Sequence, residues 1–61
     1  MFCKCKNTDR PSVYAYFYVG QIYQWYWYNG SHTMVRVMRD DFLMPSKIMS
    51  REDFLHCFEV V

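Results

Sequence analysis

Glycine and proline are scarce, with two of each in a chain of 61 residues. Gly20 and Gly30 stand too far apart to form a glycine-rich phosphate cradle, so nucleotide binding of that type is excluded. Neither sign of charge dominates: seven basic residues face six acidic ones, for a net +1 with histidines neutral. Lys4, Lys6, Arg10, Arg36, Arg39, Lys47 and Arg51 are scattered along the chain, whereas a duplex-binding domain normally gathers such residues on one face. No apolar run approaches the ~20 residues that a membrane helix requires. The opening Met1-Phe2-Cys3-Lys4-Cys5-Lys6 lacks the apolar stretch of a secretory signal. These absences predict no membrane partner and a cytoplasmic protein.

Cysteine is present in an odd number, three, which excludes a complete disulfide framework and suits a reducing compartment. Cys3 and Cys5, two apart, share a face if they lie on a strand, while Cys57 adjoins His56. Three thiols and an imidazole are the right donor types for tetrahedral zinc. C-x-C with a distant His-Cys pair is not a usual ligand spacing, however, and buried free thiols behave as small hydrophobes. The expectation is free cysteines, no metal and no cofactor.

Aromatics fill the gap that size leaves. A chain this short buries only about 60% of the surface its unfolded form exposes, and ordering costs on the order of 1.5 kcal/mol per residue. Five Phe, six Tyr and two Trp make up 21% of the residues, each burying roughly 150–250 Å² when packed. That supplies one compact core and leaves rings over. The chain therefore reads as a single domain, 1–61, with no room for a deep catalytic cleft.

Residues 2–6 alternate, with Phe2, Lys4 and Lys6 on one side and Cys3 and Cys5 on the other, as a short strand does. Asn7-Thr8-Asp9-Arg10-Pro11-Ser12 is a turn cluster. Residues 13–19, dense in Tyr, Phe and Val, read as an extended arm or irregular strand leading to a tight bend at Gly20. Residues 22–28 form the strongest strand, rich in aromatic and β-branched side chains. Asn29-Gly30 is a hairpin signal, and residues 33–39 return. Asp40-Asp41 makes a turn, and residues 42–49 hold a short strand broken by Pro45. Ser50 can cap a helical turn, with Asp53 as the carboxylate three positions on. The space before residue 58 predicts a 3₁₀ or single α turn near residues 50–55, and residues 58–61 close as a last strand.

Hairpin register decides which rings are inside. A two-residue Asn29-Gly30 loop sets Tyr23, Trp25 and Trp27 opposite Arg36, Met34 and His32, and buries Ile22, Tyr26, Val35 and Val37. A three-residue loop with a bulge at Gly30 shifts the pairing by one. Tyr23 and Trp25 then share the core face with Val35 and Val37, while Tyr26, Tyr28, Met34, Arg36 and Met38 face out. The second arrangement is favoured because it gathers a Trp and both valines in one core. Under either, surplus rings reach the surface, and a contiguous aromatic patch is the usual mark of a partner surface.

Val19-Gly20-Gln21-Ile22-Tyr23, a first strand with Cys and Lys, and the ending Ser50-Arg51-Glu52-Asp53-Phe54 with Phe58-Glu59-Val60-Val61 form a pattern. It resembles that of short proteins encoded by bacteriophages and prophages. Such proteins are similar to SH3-like barrels, in which a short 3₁₀ turn separates the last two strands. The resemblance spans residues 2–6 and 19–61 and leaves the aromatic segment 13–18 unaccounted for. It implies a mostly β, small SH3-like five-stranded barrel, a phage origin and hence a host-cell cytoplasm. It implies no catalytic residue.

No catalytic constellation emerges from the residues either. His56 and Cys57, adjacent on a strand, would point to opposite faces, so a thiolate–base pair is not expected there. The expected function is non-enzymatic binding: the chain docks on a host protein through its hairpin, at Tyr26, Tyr28, Met34 and Arg36, and inhibits or redirects it. A homodimer through the same face competes with that partner. The alternative from a different class is a single-stranded nucleic-acid-binding barrel that stacks bases on Tyr26 and Tyr28 beside Arg36. The near-neutral charge disfavours it, because backbone contacts supply much of that affinity.

Overall fold

The computed structural model describes residues 1–39 and 45–61. Five strands form one antiparallel sheet: β1 (Phe2–Cys5), β2 (Ile22–Trp27), β3 (Met34–Met38), β4 (Ser46–Ser50) and β5 (Phe58–Val60). The one α-helix among the described residues, α1 (Arg51–Cys57), joins the last two strands, and a 3₁₀ turn (Tyr28–Gly30) follows β2. The order across the sheet is β4-β3-β2-β1-β5. The mostly β fold expected from the sequence is therefore present, with its five strands and a helix between the last two. Closure is not: β4 and β5 end the sheet without pairing, so the expected barrel is an open sheet among the described residues.

Alternation builds the core. Cys3 and Cys5 of β1, Trp25 of β2, Val35 and Val37 of β3 and Met49 of β4 all point to one face and are buried. Two elements cover that face. Phe54 and Cys57 come from α1, and Val13 and Phe17 come from the connection between β1 and β2. The rings interlock: Phe54 lies 4.7 Å from Trp25 and stacks on Phe58 at 5.4 Å, and Phe17 meets Phe58 edge-on at 5.3 Å.

The connection departs from expectation. Residues 13–19 are not extended; they run through successive turns, with the Tyr14 and Phe17 N–H groups donating to the Arg10 and Val13 carbonyls. The spacing of Val13 and Phe17 places both on the inner side of these turns, as i, i+4 positions do. Packing of that pair into the core overrides the strand propensity of the segment. Ala15 sits at φ 68° within the turns, a left-handed conformation unfavourable by roughly 1–2 kcal/mol for a residue with a Cβ. Gly20, at φ 91°, makes the tight bend before β2, as expected.

Ser50 caps α1, its Oγ accepting from the Asp53 N–H at 3.1 Å. The helix is longer than the turn expected near residues 50–55, running seven residues to Cys57. Its C-terminal carbonyls, which lack partners within any helix, are satisfied from outside. The Lys6 N–H donates to the Cys57 carbonyl at 2.7 Å, and Asn7 Nδ2 donates to the His56 carbonyl at 2.8 Å. His56 and Cys57 thus lie on a helix rather than on a strand. Cys57 turns into the core while His56 Nε2 meets Asp9 Oδ2 at 3.1 Å. Nearby, Asp53 accepts from Ser12 Oγ at 2.9 Å and lies 3.6 Å from Arg10 Nε. These contacts sew the turns of the connection to α1.

The hairpin keeps the expected faces with a different loop. Trp25 pairs with Val37, Tyr26 with Arg36 and Trp27 with Val35, so the connection takes in residues 28–33. Asn29 at φ 57° and Gly30 at φ 72° are both left-handed, the conformations these residue types tolerate best. Because the added residues keep the pairing in phase with the favoured arrangement, Trp25, Val35 and Val37 still share the inner face. The two-residue loop, which would have buried Tyr26, is excluded by the same register. The turn expected at Asp40-Asp41 and the first part of the strand expected at 42–49 lie outside the described residues. The rest of that strand is β4, after Pro45.

Candidate functional site

The outer face of the sheet is built by the other half of each alternation. Pairing aligns it in rows: Tyr26, Arg36 and Ile48 cross β2, β3 and β4, and Lys4 lies between Ile22 and Glu59 on β2, β1 and β5. Phe2 is 50% exposed, Ile22 52%, Tyr26 44% and Ile48 38%. The connection and α1 both lie on the core side, so neither covers these rows.

Of the residues expected at the site, Tyr26, Tyr28 and Arg36 come together. With Trp27, Asn29 and Met38 they line a shallow cavity of about 440 Å³. The Arg36 guanidinium sits 5.3 Å from the centroid of the Tyr28 ring, within the range of cation–π attraction. Such contact holds the planar group over the ring with its N–H edge free to donate. No carboxylate pairs with Arg36 among the described residues. Met34 lies on the same face, half-buried opposite Ser50, but does not line the cavity.

A second cavity, of about 490 Å³, adjoins the first, with Phe2, Ile22, Gln24, Met38 and Arg39 among its walls. Met38 belongs to both. Sequence reasoning had placed Met38 on the outer face but gave it no role, and it had not included Phe2 or Ile22 in the site. The signal for Phe2 was the alternation of residues 2–6, which sets it beside Lys4 and opposite the cysteines. Ile22 required the β1–β2 register, which no short-range pattern encodes.

The thiols belong to the core. Cys3, Cys5 and Cys57 are free and buried. Burial pushes the Cys3 thiol up to about 12, and the neighbouring Cys5 adds to the shift. Burial likewise raises Cys5 and Cys57. A thiol held protonated at neutral pH is a poor nucleophile and a poor metal ligand. Among the described residues, no helix is long and apolar enough to cross a membrane. Comparison with family models, with curated proteins and with solved structures finds no match to this chain.

Proposed function

We propose that this chain is a non-enzymatic binding protein that docks on another protein through the outer face of its sheet. The observation that carries the reading is the division of labour between the two faces. One face closes a complete core of buried side chains. The other, with Tyr28 of the adjoining 3₁₀ turn, sets Tyr26, Met38 and Arg36 around a cavity that neither α1 nor the connection covers. Tyr and Arg are the residue types that dominate interface energies, and folding alone gives no reason to expose them together.

The resemblance to phage-encoded SH3-like proteins completes the proposal: a small protein acting in a host cytoplasm, inhibiting or redirecting a host protein. Single-stranded nucleic acid is the competing ligand, and salt separates the two. Strand binding weakens with a slope of about −0.7 per phosphate contact on logarithmic axes, whereas an apolar interface resists salt. The experiment is affinity purification from bacterial lysate at low and high salt, with wild type and a Tyr26→Ala/Tyr28→Ala/Arg36→Ala variant checked by circular dichroism. The reading predicts protein species held by wild type in both salts and lost from the folded variant. Equal retention by both proteins, or recovery of nucleic acid alone, overturns it.

A further inference from the structure

The outer face also indicates what kind of segment it takes. Its described charges are unbalanced. Lys4 and Arg36 stand within the rows, and Glu59 is the one carboxylate, at the β5 edge beside Lys4. The remaining described carboxylates belong to the connection and α1, where Asp9 meets His56 and Asp53 meets Arg10 and Ser12.

Building on the docking surface proposed above, we infer that it receives a short acidic segment of its partner. A carboxylate of that segment pairs with Arg36, and a neighbouring apolar side chain enters the cavity beside Tyr26 and Met38. The guanidinium is already oriented by the Tyr28 ring, and a planar fork of N–H donors matches a carboxylate in two parallel hydrogen bonds. Beside the cation the cavity wall carries the Tyr26 and Trp27 rings and the Met38 side chain. The combination selects an acid next to a hydrophobe rather than an acid alone. An Asp- or Glu-containing segment with Leu, Ile, Phe or Trp within two positions satisfies both requirements.

The test uses the whole chain and a displayed library of random seven-residue peptides. Selection on the wild type should enrich peptides with an acidic residue within two positions of a large apolar one. Arg36→Ala should weaken the best of these by at least about tenfold, and Arg36→Lys by less, since charge remains without the fork. Arg36→Glu should reverse the selection toward Lys- and Arg-containing peptides. Enriched peptides that lack acids but are lost on Tyr26→Ala overturn the acidic chemistry and leave the docking face standing. Peptides that bind wild type, Tyr26→Ala and Arg36→Ala alike overturn both. Tight binding of a fifteen-residue oligothymidylate with a steep salt slope, or dimerisation in sedimentation abolished by Tyr26→Ala, assigns the face to another occupant and also overturns the inference.

Discussion

Replacing Phe17 with alanine should destabilise the fold by about 3–5 kcal/mol, the range for truncating a buried phenylalanine. The ring is 2% exposed and stands edge-on to Tyr23 at 5.0 Å and to Phe58 at 5.3 Å. Val13 is the one other fully buried residue of the connection and Tyr16 only packs against the core from its edge, so the cavity left behind has little to collapse into it. A chain of 61 residues has a net stability of roughly 3–9 kcal/mol at 0.05–0.15 kcal/mol per residue. The truncation therefore removes between about a third of that stability and all of it. Because Phe17→Ala can unfold outright, Phe17→Leu is the graded companion, expected to lose no more than about 1.5 kcal/mol. The neighbouring Tyr18, 65% exposed, should tolerate alanine within about 0.5 kcal/mol. Urea titration followed by the fluorescence of Trp25, itself 5% exposed, and by circular dichroism gives all three values. If Phe17→Ala and Tyr18→Ala destabilise by the same small amount, the connection does not cover the core and the reasoning fails.

Other outcomes follow from the local geometry. Ser50→Ala should lower stability by about 1 kcal/mol through loss of the α1 cap, read as a drop in thermal midpoint of about 4–8 °C. Ala15→Gly should raise stability by about 0.5–1 kcal/mol, since relief of the left-handed strain outweighs the extra unfolded-state entropy of glycine. Denaturant melts check it, and a loss would contradict the strain at φ 68°. Alkaline pH should destabilise the protein. Unfolding releases the Cys3 thiol from a pKa of about 12 to its ordinary value of 9.0, so the unfolded state binds fewer protons and stability falls between those limits. Melting from pH 8 to 11 should show a shallower decline for Cys3→Ala than for wild type, while the Cys5 and Cys57 thiols, also raised by burial, leave part of the decline in place.

Much of this fold was legible because alternation is a local property. The period of two in residues 2–6 placed the cysteines inward and Phe2 and Lys4 outward, and the sheet agrees. The outward Tyr26, Tyr28 and Arg36 were legible for the same reason, since a register error of an even number of residues leaves faces unchanged. What was hidden depends on long-range contact. Residues 13–19 have strand-forming composition, and only burial of Val13 and Phe17 in the core, with Phe17 against Phe58 of β5, makes their turns favourable. The length of α1 was hidden likewise, because its last carbonyls are satisfied by Lys6 and Asn7 from the other end of the chain. The meeting of Met38 and Phe2 in one cavity also needs β1 beside β2, a juxtaposition set by the whole sheet.

A partner is proposed to sit on the outer face of β2 and β3. Nuclear magnetic resonance of the ¹⁵N-labelled protein, titrated with a partner purified on it, tests that placement residue by residue. The account predicts that the amides of residues 24–28 and 34–38 shift or broaden, with Phe2 beside them, while residues 10–18 and 51–57 hold their positions. The largest changes falling in residues 10–18 or in α1, with the β2–β3 hairpin unmoved, would contradict it.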